Sequence, residues 1–375
     1  MKICIISLGS YPLFNPTCTR TFGGSEVQLF VLAQELAKNP NIDLHFIVGD
    51  FGQEKVEKYG RITVYKGIPV KRHSKVARFL PRSKVLLFNL MRKIQADIYI
   101  QRSASAGTGL IALLAHFWRK KFVYMTAHEI DCNGGFEQQN SWLAGKLFQF
   151  GIRSADLVVT QSQEHAQMIT AHHRRSSIVI PSLYAIAPES AFEHIEKTYT
   201  LWVGRCEDWK RPEIFIELAH RHPEQEFVMI SPESNNQSDY YIEIKKQLEH
   251  APKNLRHVTY VPFAEIDEYF KHAKLFINTS SYEGFPNTFV QAMKNQTPIL
   301  SLVVNPDQML EHAGCGASAH NDTEQFYALA KKYLSTPALL SKCGQAGYRY
   351  AKEIHDSHKI TQQYTELFED LIQKR

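Results

Sequence analysis

Residues Leu275 to Leu302, LFINTSSYEGFPNTFVQAMKNQTPILSL, hold the pattern that decides the fold. Leu275–Asn278 is a short apolar run closing on a polar residue, which reads as a buried strand. Ser281 to Pro286 mixes polar residues with Gly284 and Pro286 and reads as a loop, and Asn287-Thr288 opens a helix. Ile299–Leu302 then reads as a second strand. Strands separated by helices pair in parallel through right-handed crossovers.

The same alternation runs upstream. Thr200–Val203, Phe227–Ile230 and His257–Val261 are predicted strands, with helical patterns at Pro212–His220 and Glu265–His272. Leu183 to Lys197, which holds Pro188 and few large apolar residues, reads as a linker. Before it, strands are predicted at Lys2–Leu8, Asp43–Val48, Asp97–Arg102, Lys121–Thr126, Asp156–Gln161 and Ser177–Ile180. Glu26–Lys38 carries a broad apolar helical face. The expectation is an α/β chain of two doubly wound domains, residues 1–185 and 186–355. A C-terminal helix, 356–375, runs past the last sheet.

Composition agrees with two domains. The chain has 375 residues, and domains average roughly 150. With 44% hydrophobic and 22% charged residues, disordered, collagenous and fibrous classes are excluded. No apolar run reaches the roughly 18 residues of a membrane span; Gly109 to Trp118 is interrupted by His116. The start, Met1 to Leu8, is too short for a secretory leader. Six cysteines lie far apart without a paired spacing, so neither a disulfide framework nor a zinc site is expected. These features predict a soluble, cytoplasmic protein.

The net charge of +5 is unevenly spread. Residues 1–185 carry 23 Lys+Arg against 12 Asp+Glu, whereas residues 186–375 carry 20 against 26. Lys71 to Lys93 holds eight basic residues and no acidic one. That segment, 71–93, suits an anionic acceptor or membrane surface; the alternative is a solvated basic loop before an ordinary helix from about Ser83. Nothing points to nucleic acid.

Ligands of open parallel sheets bind outside the carboxyl ends of the strands. After the first predicted strand comes Phe22-Gly23-Gly24-Ser25-Glu26, where two glycines and a helix start allow close approach of an anion. After Lys121–Thr126 comes Ala127-His128-Glu129, and after Leu201-Trp202-Val203 comes Gly204-Arg205, followed by Lys210-Arg211. Arg205, Lys210 and the N–H groups of Phe285, Asn287 and Thr288 suit a diphosphate. Glu283 would accept hydrogen bonds from a sugar's hydroxyls. Together these groups point to a nucleotide-sugar.

These residues resemble a known family. Val203-Gly204-Arg205 with Lys210, then Glu283-Gly284-Phe285-Pro286-Asn287-Thr288, then Thr297-Pro298-Ile299-Leu300-Ser301, are similar to the retaining GT-B glycosyltransferases of family 4. The Gly23-Gly24 loop and His128 fall where that family has its first-domain loop and active-site histidine. The resemblance implies two Rossmann-like domains facing across a cleft, the first on the acceptor side, the second binding the nucleotide-sugar, with the last helix crossing back to the first domain. It implies that Arg205 and Lys210 grip the donor diphosphate, that Glu283 holds the donor sugar, and that Gly284, Phe285, Asn287 and Thr288 lie beside it. His128 and Glu283 become the catalytic candidates. The family's second carboxylate, eight residues after the first, is here Gln291, which can still accept from one ribose hydroxyl and donate to another.

The resemblance further implies a UDP-linked donor and a saccharide or lipid-linked glycan acceptor, in surface polysaccharide or glycoconjugate assembly. The acceptor would attack from the face that the nucleotide leaves, so no protein nucleophile is needed. Cations stand where a metal-dependent enzyme would hold an Asp-x-Asp pair, so no metal or other cofactor is expected. A nucleotide-sugar 2-epimerase is the alternative, needing carboxylate acid/base groups not found here; a catalytically dead binding homologue, suggested by Gln291, is another. His172-His173-Arg174-Arg175 could bind a metal or anion, but a solvated turn is the expected reading. Gly107-Thr108-Gly109 lacks a third glycine and reads as a helix start, and Gln291 has the bland reading of an exposed helical residue.

Overall fold

The computed structural model describes residues 1–69, 81–232 and 239–374. The chain divides into two units, Met1–Leu183 with Ser357–Arg375, and Tyr184–Asp356.

The first unit is built on eight strands: β1 (Lys2–Ile6), β2 (Asp43–Asp50), β3 (Val56–Tyr59), β4 (Ile62–Pro69), β5 (Ile98–Arg102), β6 (Lys121–Met125), β7 (Leu157–Thr160) and β8 (Ile178–Val179). Their order is β3-β4-β2-β1-β5-β6-β7-β8, all parallel except the β3/β4 pair. The continuous apolar run of β1 is explained by burial on both faces. Ile3 and Ile5 enter one core with Leu29, Leu32 and Leu36, while Cys4 and Ile6 enter another with Tyr99, Phe122 and Tyr124. Each such fully buried aliphatic side chain contributes about 1.5–3 kcal/mol. The last helix, Ser357–Gln373, joins the first of these cores through Ile360, Tyr364 and Phe368, one face at four-residue spacing.

The second unit has six strands: β9 (Tyr199–Val203), β10 (Glu226–Ile230), β11 (Leu255–Val258), β12 (Ala273–Asn278), β13 (Ile299–Ser301) and β14 (Gly316–Ser318). They run parallel in the order β11-β10-β9-β12-β13-β14. Among the described residues no helix is long and apolar enough to cross a membrane.

Four strands depart from the sequence expectation. The hairpin β3/β4 was not expected: Val56–Tyr59 is an edge strand with no buried residue, and its turn uses Gly60 at φ +57°. β14 is only Gly-Ala-Ser, with no β-forming residue to announce it. A Cβ at Gly316 would come within 1.9 Å of the Ile299 carbonyl oxygen, so only glycine lets that strand lie against β13. β11 begins at Leu255, earlier than the predicted His257, because Leu255 is the residue the core buries.

The predicted linker is also anchored at its end. The Lys197 ammonium donates to the carbonyls of Lys271 (3.0 Å), Ala273 (3.2 Å) and Asn295 (2.9 Å) and to Thr297 Oγ1 (3.0 Å). Two of these carbonyls, of Lys271 and Asn295, close the helices Ile266–His272 and Asn287–Lys294, whose last C=O groups need a donor from outside the helix.

Candidate active site

A parallel sheet opens a crevice where neighbouring strands send their connections to opposite sides. In the second unit that point is β9, which lies between β10 and β12. Residues 204–211 follow β9, and residues 279–286 follow β12.

Hydrogen bonds stitch the two loops together. Trp202 Nε1 donates to Thr279 Oγ1 (2.9 Å), and Thr279 Oγ1 donates to the Lys210 carbonyl (2.5 Å). The Ser281 N–H reaches the Trp209 carbonyl (2.8 Å), and Arg211 Nε reaches the Thr279 carbonyl (2.8 Å). Gly204 is required beside this indole: a Cβ there would sit 2.8 Å from the Trp202 ring.

That stitching brings Lys210 and Glu283 into direct contact, with Lys210 Nζ on Glu283 Oε1. Ser280 Oγ donates to the same oxygen at 2.9 Å. Both side chains are largely withdrawn from water, at 19% and 14% exposure, so each charge depends on the other. Arg205 differs: its side chain is 47% exposed and only loosely paired with Glu207 at 3.6 Å.

The helix Asn287–Lys294 starts beside Glu283 with Pro286 as its cap, and no side chain caps it. The positive end of its dipole is thus unopposed by a cap of its own. Gly284 is buried, Asn287 and Thr288 are half-buried, and the Phe285 ring packs against His355 at 5.3 Å. Gln291 is buried at 6% exposure, which corrects the reading of it as a surface helical residue. It lies one turn beyond Asn287, on the face the unit covers.

In the first unit, Gly23 caps the helix Gly24–Leu36, and its N–H donates to Glu26 Oε2 at 3.1 Å. A Cβ on Gly23 would approach that oxygen to 2.9 Å, so part of the glycine's role is to admit Glu26. His128 caps the short turn Glu129–Asp131 after β6 and is half-buried. Ile130 N–H donates to its Nδ1 at 3.4 Å.

Asp131, which sequence reasoning did not single out, holds this turn. Its carboxylate accepts the N–H groups of Ala127 (2.7 Å), His128 (3.1 Å) and Ala104 (3.1 Å), tying the loop after β5 to the loop after β6. Burial pushes its pKa up, opposed by these N–H donors. The available signal was an Asp three residues after His128, the spacing of a capping box. Arg211, Ser280 and Thr279 were likewise missed as determinants of the Lys210–Glu283 pair.

The expectation of a solvated turn at His172-His173 is corrected. Ile169–His173 forms a π-helical turn that turns His173 inward, to 1% exposure, against Glu137 and Phe148. Gly107–Phe117 is a helix, as the sequence reading of its glycines held.

Residues 22–182 match the family described as Glycosyltransferase Family 4, and residues 186–350 the one described as Glycosyl transferases group 1. Between them they span most of the chain, and each half of the fold carries one. The chain has the GT-B fold of glycosyltransferases. Its fold matches the sucrose-phosphate synthase of Thermosynechococcus elongatus with a TM-score of 0.82, at 15% identity over 100% of both chains. It also matches Anabaena HepE in complex with UDP-glucose, with a TM-score of 0.74 at 16% identity, over 99% of this chain and 100% of that one. An uncharacterized glycosyltransferase of Methanocaldococcus jannaschii is 21% identical over 251 residues. That match spans 57% of this chain and 57% of the relative, just over half of either.

Proposed function

We propose that this glycosyltransferase takes a sugar from a nucleoside diphosphate, UDP first among them, and transfers it with retention of anomeric configuration to a saccharide or lipid-linked glycan. The observation that carries the reading is the Lys210–Glu283 pair at the mouth of β9 and β12, beside an uncapped helix start. An arriving diphosphate draws Lys210 and Arg205 toward its oxygens, and Glu283, relieved of its partner, accepts the sugar's hydroxyls. The cations and the helix dipole stabilise the charge that develops on the departing nucleotide. That departing phosphate takes the acceptor's proton on the face it leaves. The chain supplies charge where a divalent ion would otherwise be needed, so donor binding is proposed to be metal-independent.

The acceptor side is proposed to rest on an anionic membrane surface from the cytoplasmic side. Residues 70–80 of the basic segment lie outside the described residues. Support comes from described residues elsewhere in the first unit. Val85 stands 56% exposed on the helix Pro81–Ile94, which adjoins Gly107–Phe117 through Phe88 and Trp118. Phe117 (69%) and Trp142 (75%) are exposed on Gly107–Phe117 and Trp142–Ser154, two helices packed on each other. Exposed aromatic and aliphatic side chains among Lys and Arg suit an interfacial face.

A thermal-shift panel of nucleotide-sugars, followed by mass spectrometry of acceptor products, tests the function. At 100 times its dissociation constant a true donor adds about 2.7 kcal/mol of stability. A glycosylated product supports transfer; an epimerised sugar-nucleotide or binding without product overturns it. Donor affinity that vanishes with chelator and returns with Mg²⁺ or Mn²⁺ overturns metal independence.

A further inference from the structure

Glu137, on the short helix Gly135–Gln139, and the adjacent His172 and His173, closing the turn Ile169–His173, meet inside the first unit. Glu137 Oε1 is 3.6 Å from His172 Nε2 and 3.9 Å from His173 Nδ1, and one donor atom of each residue falls within 4.8 Å of the others. In a tetrahedral zinc site with bonds of about 2.0–2.1 Å, donor atoms stand about 3.4 Å apart, so small side-chain movements suffice to close the set.

The surroundings lack what a purely structural cluster would need. The His173 side chain is wholly buried, and that of Glu137 is 14% exposed. No hydrogen bond reaches either carboxylate oxygen of Glu137 among the described residues, while the His173 ring lies against the Asp131 backbone carbonyl. A carboxylate withdrawn from water without donors demands a cation. Two glycines make the space. Gly134, at φ +85°, has no Cβ to strike the His172 ring, which one would approach to 2.3 Å, and a Cβ on Gly145 would press on Glu137 at 3.3 Å.

We propose that Glu137, His172 and His173 form a binding site for a divalent transition ion of the zinc class, pinning the turn after β6 to the turn before β8. Two imidazoles and one carboxylate are a borderline-soft donor set that favours such an ion over Mg²⁺ or Ca²⁺. The 36% exposure of His172 leaves one coordination position to water. The connection that carries Glu137 also carries His128 and Asp131, so the ion would stiffen the segment that presents His128. All three donors belong to the first unit, whereas Arg205, Lys210 and Glu283 belong to the second.

The test uses the full chain, stripped with chelator and titrated with Zn²⁺ alone, then with Co²⁺ as a spectroscopic probe. Wild type is expected to take up one equivalent, to gain thermal stability that saturates there, and to give the visible absorption of four-coordinate Co²⁺. His172→Ala, at a half-exposed position where folding is retained, is expected to lose that equivalent, the stabilisation and the spectrum. Glu137→Gln should weaken uptake with the fold intact by circular dichroism. Equal zinc uptake and equal stabilisation in wild type and His172→Ala, or no uptake by wild type, overturns the proposal.

Discussion

Glu283 and His128 carry different kinds of consequence because they are held differently. Glu283 is gripped by Lys210 and Ser280 and is proposed to let go of Lys210 when a diphosphate arrives. Glu283→Gln keeps the shape but removes the charge that the sugar's hydroxyls and Lys210 respond to. Turnover is expected to fall about 100-fold, the usual scale for losing one group aimed at the transition state, with nucleotide affinity nearly unchanged. Steady-state kinetics with parallel UDP titration checks this, and silent kinetics would remove Glu283 from the donor site. His128→Ala deletes a side chain whose ring accepts one N–H, while its backbone stays fixed by Asp131. Turnover is expected to drop more than about tenfold with the melting temperature little changed. A large loss of stability with intact specific activity of the folded fraction would make His128 structural instead. Asp131→Asn should damage both quantities, since three N–H groups share its buried carboxylate.

Among the elements, Lys197 stands out because a single side chain ends two helices and meets the first carbonyl of β12. Lys197→Met leaves those carbonyls without their donor and should destabilise the second unit by about 1–3 kcal/mol per unsatisfied group, read by urea denaturation. The pH dependence has a definite sign. Burial depresses the Lys197 pKa from 10.5 to about 7. Between those values the unfolded chain holds a proton that the folded chain does not, so this lysine makes stability rise as pH rises from 7 toward 10.5. Wild type should therefore show a more positive slope of stability against pH than Lys197→Met in that window, and identical slopes would mean the amine stays charged when folded.

At the scale of the whole molecule, charge is divided between the halves. The basic excess of residues 1–185 includes Lys75, Arg78, Arg82 and Lys84, on the acceptor side as proposed. Each basic residue at an anionic surface contributes about 1 kcal/mol, so four would give roughly 4 kcal/mol of reversible attachment. Co-sedimentation with anionic liposomes at low salt, lost at high salt and lost on changing those four residues to Glu, is the expected outcome. No binding even at low salt would leave the segment a solvated loop and the exposed Phe117 and Trp142 without a membrane role.

The sequence by itself determined the two parallel sheets, because strands buried on both faces are written as unbroken apolar runs such as Ile3–Ile6 and Leu275–Ile277. It also located the loops where ligands of such sheets bind, since glycines, Pro286 and the cations follow strands directly. The edge strand β3 and the three-residue β14 have few β-forming residues and are held by their neighbours, whereas β4 carries a legible β-forming run, Ile62 to Tyr65, that sequence reasoning passed over. Only the tertiary structure decided which side chains meet. Lys210 reaches Glu283, 73 positions along the chain, Asp131 binds Ala104, 27 positions away, and Glu137 lies beside His172 and His173. Residues so far apart in the chain leave no periodicity when they touch; their contact follows from strand order and from loops leaving neighbouring strand ends together.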